Sequence, residues 1–259
     1  MNYGLYLSAS GALTATYRQD VQANNLANVN TVGFKPEMAV AQARFAESLE
    51  GRHRMEVGRK MLDRLGGGVL SGPQRTNQSV GAATPTGNPL DAALLDANAF
   101  FSVHSTDPDT GQRTTALTRD GRFMVGPDGR LVHQDGHPAL DPAGNPILLE
   151  PGVPARIAAN GDVVQRDVPV ARLGVVAVPA PDDLLLAGGN LLTPPPGVTP
   201  TALDAPRIAT EATEASGADP ITALMGMMAA TKAATGNLRM IQYHDQTMNS
   251  AINTFGRVG

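Results

Sequence analysis

The stretch 220–255 most limits what this chain can become. Asp219 supplies an N-cap and Pro220 sits at the first helical position, where its missing N–H is no loss. Behind them Ile221, Leu224, Met228, Thr231, Thr235 and Leu238 recur at threes and fours. A step of three then leads to Ile241, and the spacing continues through Asp245, Met248, Ile252 and Phe255. This pattern predicts one long helix with a coiled-coil-type seam, overwound at the extra three-step and weakened at Thr231, Thr235 and Asp245. A helix of about 30 residues runs about 45 Å. A compact domain does not need such an element at one end, so the helix requires a partner.

The partner is expected at the other end of the chain. Across residues 2–30, Leu5, Ala9, Ala12, Leu13, Thr16, Ala23 and Leu26 form a second helical stripe of mostly small side chains. Arg18 and Asp20 are the only charged residues before Lys35, whereas a surface helix normally carries a charged outer face. Both helices are therefore expected to touch protein on more than one side, with other copies supplying burial that an isolated pair lacks. The first helix stops in an asparagine-rich stretch, Ala23–Lys35, where Asn24, Asn25, Asn28 and Asn30 favour caps and turns. Gly33 adds backbone freedom there, and Pro36 disfavours helical backbone at Lys35.

Between the ends the texture changes twice. Residues 36–75 mix arginines with glutamates, and Pro36-Glu37 followed by Met38, Ala41, Phe45 and Leu49 reads as a helix start with an apolar stripe. Gly66-Gly67-Gly68 reads as a linker, since no Gly-Lys-Ser/Thr follows to make a phosphate loop. From residue 76 to 215 the chain is β. Asp120-Gly121, Asp128-Gly129, Asp135-Gly136 and Ala143-Gly144 punctuate short apolar runs, the pattern of an antiparallel meander. Ala171–Val178 is the clearest later strand, and the prolines from Pro179 to Pro206 predict loops and edge structure.

Several chemistries find no support. The net charge of −4 gives nucleic acid no electrostatic footing. With no cysteine, thiolate catalysis, disulfides and Cys-ligated zinc are excluded. His133 and His137 flank Asp135-Gly136, but a tight turn explains that pair without a metal. Asp107-Pro-Asp109 lacks the other ligands of a calcium loop, and no nucleophile elbow occurs. The N-terminus has neither a basic region nor a continuous apolar run, so no cleavable signal is expected, and no run is long enough to span a membrane. A carbohydrate- or metal-binding β protein with accessory helices, and a secreted hydrolase, are the competing classes. The hydrolase lacks any nucleophile-and-base set.

Gly4-Leu5-Tyr6, Ser10-Gly11-Ala12-Leu13 and Gln22–Lys35 closely resemble the N-terminal signature of bacterial flagellar basal-body rod and hook proteins. The likeness continues in Thr86–Leu94, Phe100–Val103, Leu117–Phe123, Asp128–Leu131, Gly144–Ile147 and the tail Met240–Phe255. It departs at Ser216-Gly217-Ala218, at Asp96–Ala99 and at Thr231–Gly236. Within the family the chain looks most similar to the proximal rod protein, with the distal rod protein second and the hook protein further off.

The resemblance implies an α+β fold in which terminal helices pair as a coiled-coil-like stalk around an inserted antiparallel all-β domain. The expected division is a core helix and motif at 1–35, a charged connector at 36–75, an outer β domain at 76–215 and a C-terminal core helix at 216–259. The implied function is a polymerising rod subunit that transmits torque. It needs no cofactor, does not insert into the membrane, and is exported by the flagellar type III apparatus into the rod that crosses the periplasm. Its implied partners are other copies and other axial proteins. Expected assembly contacts are Leu5, Leu13, Asn24, Asn25, Leu26, Asn28, Asn30, Thr31, Gly33 and Phe34 near the first helix. On the last helix they are Ile221, Leu224, Met228, Leu238, Ile241, Met248, Ile252 and Phe255.

Overall fold

The computed structural model describes residues 3–45, 67–72, 75–106, 111 and 113–255. Helical pieces expected over 46–66 lie outside the described residues, as do Gly66 and Asp107-Pro-Asp109. The chain forms two compact units, each assembled from separated segments: 1–27, 37–75 and 219–259 make the first, and 28–36 with 76–218 make the second.

The first unit is built on two helices that pack together, α1 (Tyr3–Ala27) and α2 (Pro220–Phe255). At 36 residues α2 is about 54 Å long. Its N-terminus is capped as the sequence predicts: the Thr222 amide donates to Asp219 Oδ2 at 2.8 Å. A hairpin of Ala41–Ala43 and Val69–Ser71 lies on α1, where Ser10 Oγ accepts from the Val69 amide at 2.9 Å and donates to its carbonyl at 2.6 Å. No helix starts at Pro36. Glu37–Met38 is extended because the Asn25 side chain takes both of Glu37's backbone groups, accepting from its amide at 2.8 Å and donating to its carbonyl at 2.9 Å. The expected helical stripe of Met38, Ala41 and Phe45 is therefore strand and loop.

The second unit is antiparallel β. Among the described residues its largest sheet has six strands, in the order Leu185–Gly188, Leu191–Thr193, Arg113–Thr118, Ala99–Thr106, Val175–Ala177 and Thr201–Ala202. A three-stranded meander, Ala155–Ile157, Asp162–Gln165 and Val168–Arg172, stands beside it in sequence. The hairpin Phe123–Val125 with Leu131–His133 turns at Asp128-Gly129, with Gly129 at φ 77°. Phe101, Phe123, Leu131, Ile147, Val163 and Val175 join the main core, and the Phe101 and Phe123 rings meet edge to face.

Three details differ from the meander reading. The expected strand Ala171–Val178 breaks at Leu173-Gly174, where Gly174 packs so closely on the carbonyls of Leu140 and Asp141 that a side chain would not fit. Ile147-Leu148-Leu149 makes only isolated bridges. Asp120-Gly121 is not a turn: a Cβ on Gly121 would fall 1.7 Å from the Ala92 carbonyl, so this glycine marks close packing of two backbones.

Candidate assembly surfaces and the signature segment

The two helices run antiparallel in a strict register. Gly4 faces His244 and Gly11 faces Asn237, so seven residues forward on α1 correspond to seven backward on α2. Further along, Gly226 faces Gln22. Each glycine is a notch filled by a polar side chain: a Cβ would stand 2.8 Å from His244 Nε2, 2.9 Å from the Asn237 amide and 3.0 Å from Gln22 Cδ. The face of α2 that meets α1 descends Ala223, Met227, Ala230, Ala234, Asn237, Ile241 and His244, alternating steps of four and three. Ala223 and Ala230 are buried, and the rest are half-buried. On α1, Ser8, Ala12 and Ala15 are buried.

This corrects the expected seam. The heptad spacing exists, but on small residues one face away. Ile221 is 68% exposed, and Leu224, Met228 and Leu238 are also exposed. Helix separation depends on the side chains at the contact, and glycine and alanine let the axes approach where leucine and methionine would hold them apart. Of the expected seam residues only Ile241 lies on the α1-facing line within the paired region. Met248 and Ile252 lie beyond it and are exposed; the side chain of Phe255 is outside the described residues. On α1, Leu5 is partly exposed and Leu13 is 73% exposed. Leu13, Ile221, Leu224, Met228 and Leu238 thus leave large apolar surface outside the helix pair. A cleft of about 410 Å³ in the same unit is lined by small residues of both helices together with Arg18, Gln22 and Met38.

The asparagine-rich segment behaves differently. Asn24 donates to Glu37 Oε1 at 3.1 Å, Asn25 is buried in its clasp of Glu37, and Leu26 is half-buried, all inside the first unit. Asn28 accepts from Thr31 through both its backbone and its side chain, its carbonyl also accepts from Ser216 Oγ at 2.9 Å, and Asn30 is exposed. Gly33 adopts φ 66°, and its backbone lies against that of Arg119-Asp120, where a Cβ would come within 2.7 Å of the Asp120 nitrogen. Only glycine satisfies both demands. Phe34 is buried, and its carbonyl accepts from the Gly217 amide at 2.9 Å. Asn25, Gly33 and Phe34 thus shape the interior of the subunit.

Beside Gly33 and Phe34 lies a buried ion cluster that no local sequence pattern brings together. Glu214 Oε1 receives Lys35 Nζ at 2.6 Å and the Gly81 amide at 2.6 Å, while Oε2 receives Arg119 Nε at 2.8 Å. All three charged side chains are at most 4% exposed. Arg119 also donates to the carbonyls of Leu94, Asp96 and Ala99, and Lys35 to that of Ser79. Burial pushes the Lys35 ammonium below the ordinary lysine range, against the pull of Glu214, and Arg119 adds to the lowering. One residue further, Asp120 is buried and held by Arg122 at 2.6 Å, with His133 Nε2 3.2 Å away. Burial raises the Asp120 pKa, but His133 and Arg122 outweigh it and keep the carboxyl below the usual range. The backbone that abuts Gly33 thus carries two buried structural charges, Arg119 and Asp120. Nothing local separates Arg119-Asp120-Gly121 from the true turn signals Asp128-Gly129 and Asp135-Gly136, so the sequence reads it as one more hairpin turn.

A profile of the family described as flagella basal body rod protein matches residues 5–35, which are α1 and the signature segment. The flagellar basal-body rod protein FlgF of Caulobacter vibrioides is 30% identical over 265 residues, covering all of both chains. FlgF of Mesorhizobium japonicum is 28% identical over 99% of each chain. The rod protein FlgG of Bacillus subtilis is 31% identical over 72% of this chain and 71% of its own. Identity of 30% over the full length of both chains makes this chain a member of the flagellar basal-body rod protein family.

Proposed function

We propose that this chain is a structural subunit of the bacterial flagellar rod, of the proximal type, which polymerises with itself and with other axial proteins to transmit torque. The observation that carries the reading is the outward-facing apolar residues of α2, among them Ile221, Leu224, Met228 and Leu238, on a 36-residue helix. Burying each is worth about 1.5–3 kcal/mol, and exposure in an isolated subunit leaves that unrealised. In this reading the helix pair is the coiled-coil-like inner stalk, and residues 76–215 form the outer domain. The subunit reaches the periplasm-crossing rod through type III export, without catalytic chemistry. A FlgG-type position in the same rod is the second reading, favoured by the 31% identity to the Bacillus subtilis protein.

Deleting residues 220–259 in the native strain tests the proposal. Assembly and motility are expected to be lost while the β unit, purified from the truncated chain, keeps its far-ultraviolet dichroism. Normal swimming by that strain refutes it.

A further inference from the structure

The β unit carries a basic cleft that the helix pair does not touch. Strand Ala99–Thr106 pairs with Arg113–Thr118, with Thr106 opposite Arg113. Residues two apart on a strand share a face, and so do cross-strand partners, so His104, Thr106 and Arg113 lie on one side of this hairpin. The turn His133–His137 stands against it, held where the His104 amide donates to the Pro138 carbonyl at 2.8 Å. With Arg130, which precedes the strand Leu131–His133, these residues line a cleft of about 230 Å³, and no carboxylate is among its lining residues. Arg113 has no ion-pair partner among the described residues. Arg130 Nε meets Asp128 at 3.3 Å in an exposed pair, and the Asp135 carboxylate lies 3.5 Å from His133 Nδ1.

Two imidazoles complete the cleft. His137 Nδ1 lies 3.2 Å from the His104 carbonyl, which only accepts, so Nδ1 carries the proton and Nε2 is left to take up a second. His104 Nδ1 is buried without a hydrogen-bond partner among the described residues, whereas buried polar atoms are normally paired. We propose that this cleft binds a doubly charged tetrahedral oxyanion of the phosphate or phosphate-monoester class, with uptake of a solvent proton on His137. The charge matches, since two arginines offset two negative charges and their planar forks suit oxyanions. The donor set matches too: Thr106, Arg113, Arg130 and the two imidazoles come from separate segments and outnumber the oxygens of a carboxylate. The cleft is smaller than the roughly 300 Å³ of sites that enclose a whole ligand, which suits a small anion or a charged end group. All of these residues belong to the β unit, so the site stands independently of the polymerisation reading.

The test uses the full chain, with the histidine ring nitrogens followed by nuclear magnetic resonance at ionic strength held constant with chloride. Sodium sulfate is the first probe, because it keeps both charges from about pH 6 to 8 and leaves histidine as the titrating partner. The expected result is a saturable shift at His104 and His137 with a Kd of roughly 1 mM at about pH 6, while His244 on α2 stays unmoved. Arg113→Gln, at an exposed position and with unchanged far-ultraviolet dichroism, should weaken binding about ten-fold or more. From about pH 8 to 6 the wild type should gain affinity several-fold, and His137→Gln much less. Glycerol phosphate and inorganic phosphate then separate the sources: tighter binding of the ester assigns the site to an end group of a larger molecule, and equal or weaker binding assigns it to the free ion. The absence of any saturable shift up to roughly a hundred times the expected Kd, or an unchanged Kd in Arg113→Gln, overturns the site. A pH dependence that survives in full in His137→Gln overturns the proton uptake assigned to that residue.

Discussion

Replacing Glu214 by glutamine tests the ion cluster most directly. The carboxylate accepts three hydrogen bonds, from Lys35, Gly81 and Arg119, and is the only anion in contact with the two buried cations among the described residues. Removing one partner of a buried ionic group costs about 3–5 kcal/mol, because the remaining charge stays uncompensated. The two cations then diverge. Arg119 cannot lose its proton, but three carbonyls still hold it. Lys35 keeps the Ser79 carbonyl and, already depressed by burial, is the group able to shed its proton. Its folded pKa lies below the unfolded value, so the unfolded chain binds the extra proton and stability rises with pH between the two values. Glu214→Gln should therefore lose most at neutral pH and recover part of the loss towards pH 10. Urea titrations followed by far-ultraviolet dichroism should show the midpoint lower by roughly 1–3 M at pH 7, with the slope unchanged. Adding Lys35→Met should restore stability relative to Glu214→Gln alone, a positive coupling in the double-mutant cycle. A midpoint within 0.5 M or so of wild type at neutral pH would refute the argument, given the usual urea slope.

Other substitutions probe other features. Gly33→Ala should cost about 2 kcal/mol or more, from left-handed strain plus contact with the Arg119-Asp120 backbone, read in the same titration. Gly11→Val should overfill the Asn237 notch and destabilise the helix pair by roughly 1–3 kcal/mol, with Asn237→Ala recovering part of the melting temperature. Because the folded Asp120 carboxyl is held below its usual range, it stabilises above about pH 4, the unfolded value, and that stability disappears as pH falls through the folded value. Thermal melts of Asp120→Asn should accordingly be lower than wild type at pH 6 and converge with it below pH 4.

Both long helices were legible because their signals are local. Asp219-Pro220 marks a start, and apolar residues at threes and fours mark the body. Which face packs was not legible. Residue size was taken as the sign of burial, whereas the helices meet through Gly4, Gly11, Ala223, Gly226 and Ala230, which periodicity in large apolar residues passes over. The extended backbone of Glu37 is not legible locally because it is imposed by a side chain twelve residues earlier. Lys35, Arg119 and Glu214 are scattered through the sequence, and nothing near Glu214 distinguishes it from a surface glutamate. The signature segment was recognised as a motif, but its chemistry, a left-handed glycine against an Arg-Asp backbone, exists only in three dimensions.

The cluster that joins Lys35 to Glu214 also bears on the order of folding. Docking α1 onto α2 from an extended chain means closing a loop of nearly two hundred residues, with an entropic cost that grows with length. Once the β unit forms, the Lys35–Glu214 pair and the Phe34–Gly217 hydrogen bond bring the chain on either side of that unit together. The long loop becomes a short one, and the helices can find their register as neighbours. A chain with a faulty β unit is therefore expected to form the helix pair slowly, since its long loop stays open.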